Sequence, residues 1–223
     1  MTRILSCDTA HGTCSVALVE DGTIIRQFHD DQHSRQAEQL FNLIDQALGA
    51  YSYDDIDALA VNIGPGSFTG IRVGLAALKG LCLVTELPLI PVTSLQALRL
   101  YAQNVHSNQA ITALIDAGRK QLYMQHFDAS GVAHSPELVH VDQFSPSGII
   151  VGNGADTLNT EDNINKVQPP VTCVDKALPN ASDIALVAYE LWQEQKIAAQ
   201  EFNGDVLPLY LRAPDAKKMK TAI

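Results

Sequence analysis

Short runs carrying apolar residues span 3–8, 14–19 and 23–29, with polar breaks at Ala10-His-Gly-Thr13 and Glu20-Asp21-Gly22. The Asp-Gly step is a hairpin signal, so the three runs read as a strand meander. The period then changes. Ala37, Leu40, Phe41, Ile44, Ala47 and Leu48 recur at helical spacing behind a Ser34 cap and predict a helix ending near Gly49. A strand over 56–63 leads into a glycine-rich turn and a long apolar helix over 68–86. Residues 87–92 read as a buried strand, and Ser94 as the cap of a helix to about 105.

After the polar break at 104–109 the same order restarts. Strands are predicted at 110–116, 121–127 and 132–141, then at 149–151 before Gly152-Asn153-Gly154. A helix over 155–164, a strand over 171–174, a helix from Asn180 or Ser182 to about 198, and an extended segment over 207–212 complete the chain. Two successive three-stranded meanders, each followed by alternating helices and strands, predict a duplicated α/β unit with mixed sheets flanked by helices. The expected division is an N-terminal lobe over 1–106 and a C-terminal lobe over 107–223.

Composition narrows the class. The 223 residues are 46% hydrophobic and 18% charged, an ordinary globular balance. No run approaches the ~20 uninterrupted apolar residues of a membrane span, and Arg3 and Asp8 interrupt the start too early for a signal peptide's apolar core. A cytoplasmic protein without a membrane contact is expected. The formal charge of −10 is the wrong sign for gripping a phosphate backbone unaided. Its basic cluster, Lys217, Lys218 and Lys220, reads as a solvated tail. Cys7, Cys14, Cys82 and Cys173 are unclustered among apolar neighbours and read as reduced core residues rather than disulfides or a zinc site.

Few segments suggest chemistry. The turn Gly64-Pro65-Gly66-Ser67-Phe68-Thr69-Gly70 joins a strand to a helix, where free N–H groups and the helix dipole suit an anion. It matches neither a Walker loop nor the dinucleotide fingerprint, and it reads equally as a tight turn for close packing. Asp8 and Thr9, with Ser15 opposite, form a hairpin tip that can hold Mg²⁺ or phosphate, or can simply bond turn N–H groups. His29 and His33 have zinc-protease spacing but straddle a strand end and a loop, so a metal site is not expected. No Gly-x-Ser-x-Gly elbow supports a hydrolase triad. The helix over 69–86 is apolar nearly all round, with Arg72, Lys79 and Glu86 on one narrow stripe; its second apolar face belongs either to the fold or to another subunit.

Taken together, Arg3-Ile-Leu-Ser-Cys-Asp-Thr-Ala10, Cys14-Ser-Val-Ala-Leu18, Gly64-Pro-Gly-Ser-Phe-Thr-Gly-Ile-Arg-Val-Gly74, Pro91-Val-Thr-Ser-Leu95, Ile115-Asp-Ala117 and Tyr210-Leu-Arg212 resemble the bacterial TsaB family, also called YeaZ, over nearly the whole chain. The 64–74 stretch is the specific one. Gly118-Arg119 departs from the pattern, which places arginine directly after Asp-Ala. The resemblance implies an actin-like, Hsp70-like ATPase fold of the ribonuclease H-like kind. It also implies a part in making threonylcarbamoyladenosine just 3′ of the anticodon in tRNAs that read codons beginning with A. The implied partners are the catalytic paralogue TsaD and the small ATPase TsaE, with tRNA met indirectly and a homodimer formed when the chain is alone.

The paralogue carries a His-Met-Glu-Gly-His metal motif where this chain has Ser94-Leu-Gln-Ala-Leu98. Leucine offers a metal no lone pair, so no catalytic or metal-binding residue is assigned, and the reading becomes that of a non-catalytic subunit. The resemblance further implies a four-helix contact between the first two helices of each subunit. This places Gln36, Leu40, Leu43, Ile71, Gly74, Leu75, Leu78, Lys79 and Cys82 at the interface. Asp8, Thr9, Gly64, Gly66, Ser67, Thr69, Gly70, Asp116, Gly152 and Gly154 are the candidate vestigial nucleotide or phosphate site. No cofactor is assigned to this chain, ATP being used by the complex. A sugar-kinase-like phosphotransferase and a metal peptidase are the rival classes.

Overall fold

In the computed structural model, residues 1–32, 35–144, 148–158, 172–174, 178–194 and 206–212 are described. The first sheet holds β1 (Arg3–Asp8), β2 (Cys14–Glu20), β3 (Thr23–Asp30), β4 (Ala58–Asn62) and β5 (Leu89–Val92) in the order β3-β2-β1-β4-β5. The second holds β6 (Ile111–Gly118), β7 (Gln121–Phe127), β8 (Glu137–His140), β9 (Ile149–Val151) and β10 (Thr172–Val174) in the order β8-β7-β6-β9-β10. Each has an antiparallel three-stranded half and parallel partners beyond its first strand. The two orders are the same plan executed twice.

Among the described residues, five α-helices accompany the sheets: α1 (Gln36–Leu48), α2 (Phe68–Thr85), α3 (Ser94–Val105), α4 (Gly154–Leu158) and α5 (Ala181–Gln193). α1 and α2 cover one face of the first sheet, where Leu40, Ile44, Leu75 and Leu78 meet Leu5, Val16, Leu18 and Leu59. Arg26 of β3 donates to the α1 carbonyls Ala47 O and Leu48 O, placing a cation at the negative end of that helix. α2 has the length and apolar composition of a membrane-crossing helix. Its inner residues Ile71, Leu75 and Leu78 are nevertheless buried on the sheet.

The strands divide near residue 106, but the helices do not follow that boundary. α5 lies on the first sheet, with Ile184, Val187 and Ala188 packed on Ile4, Ala58, Ala60, Ile90 and Val92. α3 shares that cluster through Ala97 and Leu100. Its other side sends Leu95, Leu98 and Ala102 onto Ile111, Ala113, Ile149 and Val151 of the second sheet. α3 and α5 thus form a common layer on the first sheet, and α3 links it to the second.

Several local expectations change. α3 is capped by Thr93, whose side chain accepts from Gln96 N–H while Gln96 reaches back, so Ser94 is the first helical residue. The strand expected over 132–141 shortens to β8, because Gly131 turns the chain and Pro136 offers no N–H. Asn180 caps α5 by accepting from Ser182 and Asp183 N–H groups. Cys7 and Cys14 are core residues, but Cys82 is half-buried and Cys173 exposed. Ser34, His33, most of the helix expected over 155–164, the end of the helix expected to 198 and the three tail lysines lie outside the described residues.

A fragment of residues 1–106 lacks α5 and leaves the face of Ile4, Ala58, Ala60, Ile90 and Val92 open. It is expected to show no cooperative thermal transition by circular dichroism, whereas the full chain shows one.

Candidate functional site

The first sheet ends in a junction between the β1–β2 hairpin and the start of α2. Thr9 Oγ1 donates to Gly70 O at 2.7 Å and accepts from Gly74 N at 3.1 Å, fastening the hairpin to the helix. Contact is backbone to backbone: a Cβ on Gly66 would lie 2.5 Å from Ala10 O, and one on Gly70 would collide with Thr9 O. Ser67 N–H donates to Ala10 O, Gly70 N–H to Ser67 Oγ, and Gly64 N–H to Asn62 Oδ1. The turn's glycines therefore serve close packing, and three of its N–H groups already have partners. Ser67 and Thr69 are exposed at the helix start.

Beside this junction lies a polar chain. His11 Nε2 is 3.1 Å from Ser94 Oγ, and Ser94 Oγ donates to Asn62 Oδ1 at 3.0 Å. With the serine proton so used, His11 Nε2 is the donor to Ser94 Oγ. Burial lowers the His11 pKa, and the nearby Asp8 charge partly opposes this. Asp8 Oδ1 accepts from Ala10 N–H, but its buried Oδ2 and the buried Asn62 Nδ2 have no hydrogen-bond partner. Burial pushes the Cys7 thiol up and Cys14 up to about 12, so both stay protonated.

Asp116, Gly152 and Gly154 gather separately at the end of the second sheet. Asp116 Oδ1 accepts from Gly118 N–H, and Asp116 N–H donates to Asn153 Oδ1. Gly152, at φ 108°, presses against Leu114 O and Leu98, and Gly154 against Leu114. The departure at Gly118-Arg119 is a hairpin end: Arg119 and Lys120 have φ 59° and 58°, the left-handed pair that a two-residue turn requires. α3 joins the two groups, since Ser94 bonds the first and Leu98 packs on the second.

The fold's usual nucleotide and Mg²⁺ fit poorly here. Among the described residues, no three His, Cys, Asp or Glu side chains cluster as metal ligands. A recess of about 260 Å³ opens between Ser15, Gln27, His29 and the start of α5. There the first α5 N–H groups are taken by Ser15 and Asn180, Ser182 Oγ donates to Gln27, and His29 pairs with Asp31.

The residues expected at a partner interface differ in exposure. Leu40, Leu43, Ile71, Leu75 and Leu78 are buried in the protein's own core, and Gly74 lies under Thr9. They support the surface rather than form it. Gln36, Lys79 and Cys82 are half-buried. The outward face carries Phe41 on α1 and Arg72, Ala76, Gly80, Leu83 and Val84 on α2; Leu83 is 85% and Val84 84% exposed. Phe41 belonged to the α1 periodicity, and Leu83 and Val84 to the all-round apolarity of α2. Only the sheet's position distinguishes their face from the inner one.

Two lobes built on one repeated sheet plan, with a hairpin tip and a glycine turn at the strand ends, define the actin-like ATPase fold. Solved structures agree. A Pseudomonas aeruginosa protein described by its similarity to the peptidase YeaZ superposes with a TM-score of 0.78 at 24% identity, covering 95% of this chain and 100% of that one. A ROK family protein from Streptococcus pneumoniae does so at 0.54 and 11% identity, covering 87% and 99%. A family model described as TsaD, tRNA N6-adenosine threonylcarbamoyltransferase, matches residues 24–145. The tRNA threonylcarbamoyladenosine biosynthesis protein TsaB of Escherichia coli is 34% identical over 94% of both chains. That of Haemophilus influenzae is 31% identical over 94% of this chain and 93% of its own. The chain belongs to the TsaB family.

Two outcomes follow from the junction. Gly70→Ala is expected to lower unfolding free energy by about 1–3 kcal/mol, whereas Gly80→Ala, with open space at its Cβ, should raise it by up to about 1 kcal/mol; urea denaturation measures both. Because the folded-state pKa of His11 lies below its unfolded value, the unfolded chain takes the proton first. Its stability contribution is present above the usual pKa of 6.5 and is lost as pH falls through that value. The urea midpoint of the wild type should therefore drop more between pH 7.5 and 5.5 than that of His11→Gln.

Proposed function

We propose that this chain is a non-catalytic cytoplasmic subunit required to form threonylcarbamoyladenosine at the adenosine 3′ of the anticodon in tRNAs reading A-starting codons. It acts by binding and activating a TsaD-type catalytic paralogue, with a TsaE-type ATPase joining the assembly, and it pairs with itself when alone. Its full-length similarity to proteins named for threonylcarbamoyladenosine biosynthesis carries this reading. The positions that match the paralogue's two metal histidines support the non-catalytic part. Ser94 is fully buried and committed to Asn62 and His11, while Leu98 is fully buried in the core. A formal charge of −10 favours tRNA contact through the partner.

The docking surface in this reading is the outward face of α1 and α2. Ala76 and Gly80 form a flat strip that lets a partner helix approach closely, and Phe41, Leu83 and Val84 supply exposed apolar area around it. The nucleotide-site residues are a remnant of the fold, retained because they pack.

A reconstitution containing the catalytic paralogue, the small ATPase, ATP, tRNA and the threonylcarbamoyl adenylate source is expected to yield modified tRNA, by mass spectrometry, only with this chain present. Undiminished product on its omission overturns the proposal. Leu83→Glu is expected to weaken association with the paralogue at least about tenfold by calorimetry, an effect of ~1.4 kcal/mol, with an unchanged melting temperature. Leu75→Glu instead unfolds the first lobe.

A further inference from the structure

The segment 206–212 belongs to no helix or strand, yet it is held along its length. Val206 is buried in the core beneath α1 and α2. Leu209 N–H donates to Ile63 O at 2.8 Å, just beyond the end of β4, and Leu209 O presses so closely on Gly64 that a Cβ there would sit 3.2 Å away. Tyr210 stacks on Phe68 with ring centroids 4.8 Å apart, and its hydroxyl accepts from Arg72 Nε at 2.8 Å. The Arg72 guanidinium lies 3.6 Å above the same Phe68 ring. All of these contacts are with the first lobe.

Two residues later the chain is held by the second lobe. Arg212 Nη1 donates to Ala117 O at 2.6 Å, and its Nη2 donates to Gly118 O at 3.3 Å and to Gln121 Oε1. The guanidinium also lies 6.0 Å from the Tyr123 ring centroid. Three extended residues advance roughly 10 Å, so Leu209 to Arg212 is enough chain to cross from the end of β4 to the end of β6. Among the described residues, the α3–α5 layer also connects the sheets. The lobes are therefore joined both by packed helices and by this segment.

The two attachments of the segment differ in kind. The first lobe holds it by a buried side chain, a backbone hydrogen bond and an aromatic stack, whereas the second holds it through one guanidinium. That guanidinium is bound to two carbonyls and an amide, an arrangement a planar fork can satisfy and an ammonium cannot. We infer that residues 206–212 are an inter-lobe latch, with Arg212 as the closing residue that sets the angle between the two sheets. Loss of the Arg212 bonds frees the second lobe to rotate about the α3–α5 layer while the segment stays seated on the first. Arg212 is a positioning residue in this account.

Backbone residual dipolar couplings on the full chain test the latch, because they report the relative orientation of the two sheets rather than their stability. One alignment tensor is expected to fit β1–β5 and β6–β9 together in the wild type. In Arg212→Gln the two sheets should require separate tensors, with couplings within each sheet still fitting its own geometry. Arg212→Lys keeps the charge without the fork and should behave like Arg212→Gln, so it carries the test if the glutamine variant does not fold. Tyr210→Phe, which removes only the Arg72 bond on the first lobe, should keep the single tensor. A single tensor in the folded arginine variants overturns the inference, as does a wild type whose sheets already need two.

Discussion

The arrangement of the molecule rests on two helices sharing one layer. α5 supplies the cover that the first sheet lacks on the face of Ile4, Ala58, Ala60, Ile90 and Val92, and α3 presents opposite sides to α5 and to the second sheet. Small side chains permit this, since Ala58, Ala60, Ala97 and Ala188 are all fully buried there. Burial of such a surface is the main favourable contribution to folding, and here it cannot be completed by either half of the chain alone. The lobes consequently form as one unit, and what lies at their strand ends is held by that shared layer.

The same layer determines what the strand ends can do. Ser94 opens α3 and is drawn into the Asn62 and His11 chain; Leu98, one turn on, is pressed between the second-sheet core and Gly152. One helix thus ties both groups of strand-end residues to the core. On the other face Thr9 draws α2 so near that only glycine fits at 66 and 70. A phosphate needs unpaired N–H donors in an open cradle, and this junction directs several of its donors inward. The features that make the fold look like a nucleotide enzyme are used to close it.

Much of this was legible in the chain itself, for identifiable reasons. The meanders are readable because short apolar runs broken by turn residues such as Asp21-Gly22 are local signals, and the duplication because the two halves repeat that order. β8 was overestimated because exposed Val132 and Ala133 look like strand residues until Gly131 and Pro136 are weighed. The cap of α3 was misplaced by one residue because Thr93 and Ser94 are both good caps, and Gln96 chooses between them. The exchange of α3 and α5 left no mark on periodicity, since an amphipathic helix records that it has an apolar face and not which sheet receives it. α2 was the hardest segment. Leucine, valine and isoleucine surround it, so its inner face is defined by where Gly70 and Gly74 meet Thr9, a contact sixty residues away in sequence.

That ambiguity bears on how the outer face of the helix is held. An apolar helix lying loosely on a sheet would offer a partner a variable surface, and ordering it would consume binding free energy. α2 is instead fastened at its start by Thr9 and along its inner side by Ile71, Leu75 and Leu78, so the outward strip of Ala76, Gly80, Leu83 and Val84 inherits the rigidity of the sheet. Arg72, at the end of that strip, is stacked on Phe68 and tied to Tyr210. The outward strip and the segment 206–212 therefore meet at Arg72. The rigidity of the strip and the seating of the segment both follow from the same packing at the strand ends.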